Sequence, residues 1–150
     1  MKVVIQRVSE AAVKIDGGVN GSIESGLLIL VGIENSDTNE DVDWLASKIV
    51  GLRIFSDENR LMNLSVKEID GNILVISQFT LHAKTKKGNR PSFIDAARPE
   101  QAIPLYEKFK SALEKELEKP IQSGIFGADM KVSLVNDGPV TIVIDSKNKS

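Results

Sequence analysis

The chain has 150 residues, of which 41% are hydrophobic, and this length and composition fit one domain with a buried core. Its formal net charge is −2, so no overall positive field attracts nucleic acid, and an anionic partner has to meet a local basic patch. The chain has no cysteine and a single histidine, which excludes disulfides, thiolate nucleophiles and metal sites built from several of these residues.

The N-terminal apolar run is short, and no stretch approaches the ~20 apolar residues that a membrane span needs. We therefore expect residues 1–150 to form one domain of a cytoplasmic protein that has no membrane partner.

Extended segments open the chain. Residues 3–8 and 11–15 have the composition of β-strands, and Gly17 and Gly18 follow them as a turn. The continuous apolar run over residues 26–33 predicts a fully buried strand.

Two amphipathic helices are predicted. The first begins after Asp37 and Thr38, which have N-cap chemistry, and ends near Gly51; the second begins at Pro99 and stops before Pro120. Apolar residues recur at helical spacing in both segments: Val42, Leu45, Ile49 and Leu52 in the first, and Ala102, Leu105, Phe109, Leu113 and Leu117 in the second.

Further strands are predicted at residues 53–55 and 73–79. Residues 130–135 and 140–144 predict a closing hairpin, interrupted by Gly138 and Pro139. Proline has no backbone N–H, so this turn leaves carbonyl groups unpaired. Such carbonyls could bind a cation or an amino group whatever side chain that ligand carries.

Familiar catalytic groups are scarce. His82 follows a strand and precedes a basic loop, and a solvent-exposed loop residue is the interpretation that we favour over a catalytic one. Residues 124–127 lack the spacing and the lysine of a phosphate-binding loop, and no Gly-x-Ser-x-Gly elbow is present. Nucleotide hydrolysis and serine-hydrolase chemistry are therefore not predicted.

Polar groups gather at the end of the strand at residues 73–79. Strand alternation puts Ser77 and Phe79 on one face and Gln78 and Thr80 on the other. These are either site residues or the ordinary polar end of a strand. Thr80 has no basic neighbour to activate its hydroxyl, so we do not expect it to be a nucleophile.

A basic loop follows at residues 84–90, with four cations and no acid: Lys84, Lys86, Lys87 and Arg90. The loop is a candidate patch for nucleic-acid phosphates. On charge alone, a solvated surface loop is an equally good interpretation.

Four motifs occur in order along the chain, at residues 77–81 (SQFTL), 87–93 (KGNRPSF), 124–130 (GIFGADM) and 136–141 (NDGPVT). Through them the whole chain resembles the D-aminoacyl-tRNA deacylase family. The resemblance implies an enzyme that hydrolyses the ester between a D-amino acid, or glycine, and the terminal adenosine of a tRNA. It also implies a homodimer with active sites at the subunit interface, no cofactor, no metal and no DNA partner.

The resemblance further implies residue roles. The residues that orient the ester and its oxyanion would be Ser77, Gln78, Phe79 and Thr80, with the 2′-hydroxyl of the terminal ribose assisting water. An adenosine pocket would be formed by Phe126, Gly127, Ala128 and Met130. A chiral filter with a cis Gly-Pro bond would reach into the partner's pocket, formed by Gly138 and Pro139 with Asn136 and Arg7. Phosphates of the tRNA would meet Lys84, Lys86, Lys87 and Arg90.

The predicted fold is α+β, with a mostly antiparallel, barrel-like sheet and two outer helices. Two other functions stay open from the residues alone. One is a non-catalytic RNA-binding module that uses the basic loop, and the other is a ligand-binding protein with a dimeric interface.

Overall fold

Eight β-strands, two α-helices and one 3₁₀ helix make up the fold, and the computed structural model describes all of residues 1–150. In chain order they are β1 (Lys2–Ile15), β2 (Gly18–Ile23), β3 (Gly26–Gly32), α1 (Asn39–Gly51), β4 (Phe55–Ser56), β5 (Met62–Leu64), β6 (Asn72–Ser77), the 3₁₀ helix (Phe79–His82), α2 (Pro99–Leu117), β7 (Gln122–Ser123) and β8 (Lys131–Asp145).

The long strand β1 organises the main sheet. Along one edge its residues 2–8 pair with β3 and its residues 11–15 with β2, and β8 pairs along the other edge, all antiparallel. The β3–β6 and β6–β7 pairs are parallel. The amide Nδ2 of Asn20 on β2 donates to the backbone oxygen of Ser123 on β7 at 2.8 Å, so the sheet nearly closes on itself.

The predicted α+β class, with a mostly antiparallel, barrel-like sheet and two helices, is confirmed, although two of the strand pairs make the sheet mixed rather than purely antiparallel. The chain crosses from β3 to β6 through α1 and from β6 to β7 through α2. A helical crossover of this kind returns the chain to the starting end of the sheet, and the strands that it joins run parallel.

Both helices cover one face of the sheet, and their apolar residues form a main core of 24 buried residues with β1, β3 and β6. A smaller cluster occupies the other face. Successive residues of β3 and β6 point alternately into the two clusters: Leu27 and Ile29 into the main core, Leu28 and Leu74 into the smaller one. Burial on both faces explains the unbroken apolar runs in these strands.

The helix boundaries confirm the predicted ones. Thr38 precedes α1, and its backbone N–H donates to Asp41 Oδ2 at 2.9 Å. Helix α2 begins at Pro99 and ends at Leu117, where Glu118 adopts a left-handed backbone with φ of 62°. Neither helix is long and apolar enough to cross a membrane.

The predicted closing hairpin is wrong, because residues 131–145 form one continuous strand, β8. This strand pairs with β1 on both sides of the Gly-Pro pair, from Lys131 to Asn136 and from Thr141 to Asp145. Residues 137–140 have no register partner on β1 and bulge from the sheet. A bulge and a turn have the same local sequence signature, and only the presence of β1 along the whole length decides between them.

The predicted strand over residues 73–79 is also shorter than expected. It ends at Ser77, and the 3₁₀ helix begins two residues later. The predicted alternation of side chains therefore does not extend through residues 78–80. At the start of the chain, the two predicted segments 3–8 and 11–15 are parts of the single strand β1.

Candidate active site

A cleft of about 260 Å³ lies between the end of β6 and the loop that leads into β8. It is lined by Ile76, Ser77, Gln78, Phe79, Phe126, Gly127, Ala128, Asp129, Met130 and Val132. The cleft thus brings together three of the four predicted catalytic residues and all four residues of the predicted adenosine pocket. Thr80 follows Phe79 in the sequence but does not line the cleft.

The end of β6 is held by its neighbour β3. Ser77 pairs with Val31, and the backbone N–H of Gln78 donates to the Val31 oxygen at 2.7 Å. The 3₁₀ helix then turns the chain away, and the amide N–H groups of Phe79 and Thr80 donate to no other atom of the chain. Free backbone donors beside a cleft are suited to bind a developing oxyanion.

The hydroxyl of Thr80 has a neutral partner. Its Oγ1 accepts a hydrogen bond from Gln78 Nε2 at 2.5 Å. A carboxamide does not accept a proton near neutral pH, so Gln78 orients this hydroxyl without activating it. The arrangement suits the positioning of a substrate better than covalent catalysis.

The opposite wall of the cleft depends on Tyr106 of α2, which the sequence patterns did not single out. Its buried hydroxyl is within hydrogen-bond distance of the backbone oxygens of Gly124 (3.3 Å) and Val75 (3.4 Å). Burial raises the pKa of Tyr106 to about 12, so the hydroxyl stays protonated and can donate. The available signal was a polar-tipped aromatic residue on the apolar face of a helix.

Phe126 and Met130 complete this wall. The Phe126 ring lies 5.9 Å from the Tyr106 ring, and a Cβ atom at Gly124 would collide with Met130 Sδ. Gly124 therefore leaves the space that Met130 fills. Both Phe126 and Met130 are half-buried and line the cleft, so they are core residues on one side and cleft residues on the other.

The Gly138–Pro139 segment lies outside this cleft. Its peptide bond is cis, and residues 137–139 are exposed. Arg7 contacts the segment, because its Nε donates to the Asp137 oxygen at 2.8 Å while Nη1 donates to the Ile54 oxygen at 2.7 Å. The Asp137 carbonyl is thus occupied.

Asn136 stabilises the same bulge through its side chain. Its Oδ1 accepts a hydrogen bond from the Val140 backbone N–H, and its Nδ2 donates to Thr141 Oγ1, both at 3.0 Å. The segment is therefore tied to its own strand and to Arg7, while it presents Gly138 and Pro139 to the outside.

The prediction that His82 is a solvent-exposed loop residue is wrong. Its side chain is buried, and Nε2 contacts the Gly32 carbonyl oxygen at 2.9 Å. Since a carbonyl oxygen only accepts, Nε2 carries the hydrogen. Nδ1 lies 3.8 Å from Glu34 Oε2. The 3₁₀ helix points the ring back towards β3. The basic residues that follow His82 in the sequence did not indicate this orientation.

The basic loop is exposed. Lys84 forms an ion pair with Asp95 at 3.1 Å, whereas Lys86, Lys87 and Arg90 pair with no carboxylate. Two backbone hydrogen bonds between Lys84 and Ser92, of 2.8 and 2.9 Å, close the base of the loop. Three cations therefore project into solvent from an ordered base.

No group of three or more His, Cys, Asp or Glu side chains is arranged to hold a metal ion. A larger depression of about 480 Å³ lies between β1, β2 and β8, and none of the predicted site residues lines it. We place the candidate site in the smaller cleft, because the predicted site residues of two separate motifs line it.

Comparisons with known proteins identify the family of the chain. The sequence profile of a family described as D-Tyr-tRNA(Tyr) deacylase matches residues 4–145. A "D-aminoacyl-tRNA deacylase" of Flavobacterium psychrophilum is 69% identical over 149 residues, and one of Bacteroides fragilis is 65% identical. In both cases the match covers 99% of each chain.

Solved structures share the fold. One, named "c-Myc DNA Unwinding Element Binding Protein", is 40% identical, with a TM-score of 0.90 over 97% of this chain and 98% of that one. A second, named "Structural Analysis of a probable eukaryotic D-amino acid tRNA deacylase", is 16% identical, with a TM-score of 0.80 over 95% and 97% of the two chains.

The full-length matches define a hydrolase that acts on aminoacyl-tRNA esters. The chain belongs to the D-Tyr-tRNA(Tyr) deacylase family. Its reaction is the hydrolysis of D-aminoacyl-tRNA.

Proposed function

We propose that this enzyme is a chiral proofreading deacylase of the cytoplasm, which removes D-amino acids and glycine from tRNA and leaves L-aminoacyl-tRNA intact. The observation that carries the proposal is the joining of residues 77–79 with residues 126–130 in one cleft. One wall supplies hydrogen-bond donors for an ester, and the other supplies the apolar surface that a nucleobase needs.

The proposed chemistry uses no protein base. An aminoacyl ester is already activated, so positioning supplies much of the rate increase. Ser77, Gln78 and the free N–H groups of Phe79 and Thr80 orient the ester and its oxyanion. The 2′-hydroxyl of the terminal ribose, which both donates and accepts hydrogen bonds, assists the attacking water.

Chirality in this proposal comes from a second copy of the chain. The Gly138–Pro139 segment is exposed, bulges from β8 and does not line the cleft of its own protomer. In a homodimer it would enter the partner's cleft, where backbone atoms bind the amino group and leave no room for an L side chain. A backbone wall of this kind accepts many different D side chains.

The test compares D-tyrosyl-tRNA, L-tyrosyl-tRNA and glycyl-tRNA with enzyme present at far less than stoichiometric amounts. We expect multiple turnovers with the D ester and with glycyl-tRNA, and no acceleration with the L ester. Equal rates with the D and L esters would contradict chiral selection. Binding of the D ester without any acceleration of its hydrolysis would indicate a binding module.

The name of the 40% identical structure refers to a DNA element, and this motivates one added arm. We expect duplex DNA not to compete with D-tyrosyl-tRNA, because the chain carries a net charge of −2 and therefore has no overall positive field. Strong competition by DNA would favour a nucleic-acid-binding function in addition to hydrolysis.

A further inference from the structure

Two exposed phenylalanines lie side by side at the cleft, and the proposed function uses only one of them. Phe79 is 53% exposed and Phe93 is 36% exposed. Their ring centroids are 5.0 Å apart, and the ring planes meet at 73°. Phe79 lines the cleft, whereas Phe93 lies beyond it. The pair therefore extends the apolar wall of the cleft onto the surface.

The geometry of this pair leaves a flat surface available. In an edge-to-face contact the edge of one ring meets a face of the other, so the second ring does not cover the faces of the first. A nucleobase stacks on an aromatic face of this kind whatever its sequence, because every base has a π-face.

Positive charge lies next to the pair. Phe93 directly follows Ser92, whose two backbone hydrogen bonds to Lys84 close the base of the basic loop. Lys86, Lys87 and Arg90 project from that loop without a carboxylate partner. Aromatic rings beside unpaired cations are the combination by which proteins bind single-stranded nucleic acid.

We propose that Phe93, supported by Phe79, stacks the nucleobase that precedes the terminal adenosine in the single-stranded 3′ end of tRNA. The inference rests on the proposed function, in which the cleft holds that adenosine. The Phe93 ring is adjacent to the cleft, because its centroid lies 5.0 Å from that of Phe79, which lines the cleft. A nucleotide that neighbours the adenosine in the cleft would therefore lie beside Phe93.

The experiment uses three D-tyrosyl esters: of adenosine, of cytidylyl-adenosine, and of a matched dinucleotide with an abasic ribose in place of cytidine. We expect the wild-type enzyme to show a kcat/KM about tenfold higher for cytidylyl-adenosine than for the abasic ester, a ratio that corresponds to the stacking of one base. Phe93→Leu should abolish this ratio, and Phe93→Trp should keep it.

Ile94→Ala is the matched control, since Ile94 is the next residue, is 73% exposed and lies outside the cleft. It should leave the ratio unchanged. A wild-type enzyme that hydrolyses all three esters with equal kcat/KM would overturn the stacking role and leave the proposed function standing. Failure to hydrolyse any of them would instead count against the proposed function.

Oligomeric mass is measured for each variant by light scattering. We expect Phe93→Leu and the wild-type enzyme to have the same mass. A lower mass for Phe93→Leu would overturn the inference, because the exposed ring would then belong to an interface between copies of the chain.

Discussion

Gly138 occupies a position that no other residue fits. Its φ is +136°, and an added Cβ would lie 2.8 Å from Arg7 Nη2 and 2.9 Å from Val140 Cγ2. Gly138→Ala should therefore displace both Arg7 and the exposed carbonyls. We expect hydrolysis of D-aminoacyl-tRNA to fall by about 100-fold, equivalent to about 2.7 kcal/mol, while the fold persists. The rate is measured with D-tyrosyl-tRNA.

The control for this substitution is Gly17→Ala. Gly17 also has a positive φ, of 80°, but nothing lies within 4 Å of an added Cβ. Its cost is limited to backbone strain of about 1–3 kcal/mol in stability. If Gly138→Ala retains full activity and full chiral selection, the proposed filter is wrong.

His82 is a buried residue whose substitution tests stability rather than chemistry. His82→Ala removes a hydrogen bond to Gly32 and leaves a cavity under the 3₁₀ helix. The free energy of unfolding should fall by about 2 kcal/mol. Because the ring does not line the cleft, the folded variant should keep most of its deacylase activity.

Urea denaturation and the deacylase assay together check this expectation. The side-chain amide in His82→Gln can donate a hydrogen bond in place of the imidazole, so this variant should recover part of the lost stability. Unchanged stability in His82→Ala, or an activity loss of about 100-fold in fully folded protein, would contradict the structural role.

At the level of elements, the start of α1 is bound to the C-terminal segment through Asp41. Burial alone would raise the pKa of Asp41, but hydrogen bonds from Ser146 Oγ, the Thr38 backbone N–H and Lys147 Nζ outweigh burial and hold the pKa well below its ordinary value. Neighbouring Asp37 behaves oppositely, because burial raises its pKa although the Met1 ammonium contacts it.

The sign of the pH dependence follows from these directions. A lowered pKa in the folded state adds stability above the unfolded pKa of about 3.9, and this stability is lost as the pH falls below it. Asp41→Asn should therefore reduce the free energy of unfolding by about 2 kcal/mol near neutral pH. The difference from wild type should shrink as the pH falls below about 4. The raised pKa of Asp37 contributes to the pH dependence of stability in the reverse sense, and this contribution is present in both proteins.

Urea titrations at several pH values measure this difference. Asp43→Asn is the control, since Asp43 is exposed on the same helix and forms no hydrogen bond through its side chain. A difference between Asp41→Asn and wild type that is constant with pH would rule out the linkage.

The basic loop is the element that should govern salt dependence. Lys86, Lys87 and Arg90 have no carboxylate partner, whereas Lys84 is paired with Asp95. Replacing the first three with glutamine should lower the slope of log affinity against log salt by about 0.7–0.9 for each phosphate that a cation no longer neutralises. Lys84→Gln should change the slope less. An unchanged slope in the triple variant would show that the loop is only a solvated surface.

At the scale of the whole molecule, we infer that residues 1–150 form one domain, because the main core draws on Met1, on both helices and on three strands of the sheet. The cleft and the Gly138–Pro139 segment are nevertheless separate within one protomer. The proposed homodimer resolves this separation by placing the segment of one copy in the cleft of the other.

Mixed dimers test this arrangement. Gly138→Ala and Gln78→Ala should each be poorly active, but after unfolding and joint refolding half of the molecules pair one variant with the other. In each such dimer one site combines an intact cleft with an intact segment, which predicts roughly a quarter of the wild-type activity for two-fold symmetric dimers. Recovery of no activity would mean that each protomer builds its own site.

The parts of this protein that the sequence predicted are those decided by neighbouring residues. The start of α1 at Thr38, the extent of α2 from Pro99 and the buried strand β3 were all predicted, because caps and apolar periodicity act over a few residues. The motifs that contain Ser77 and Phe126 were recognisable for the same reason, because each is a short contiguous segment, and they indicated the family without the structure.

Tertiary structure alone decided what depends on distant partners. Residues 137–140 form a bulge rather than a hairpin because β1 supplies pairing partners on both sides of them. His82 is buried because the 3₁₀ helix directs it to Gly32, and Tyr106 supports the cleft because α2 packs over β6. Strand pairing and side-chain burial depend on segments that are far apart in the chain, and the local sequence pattern does not indicate which segments meet.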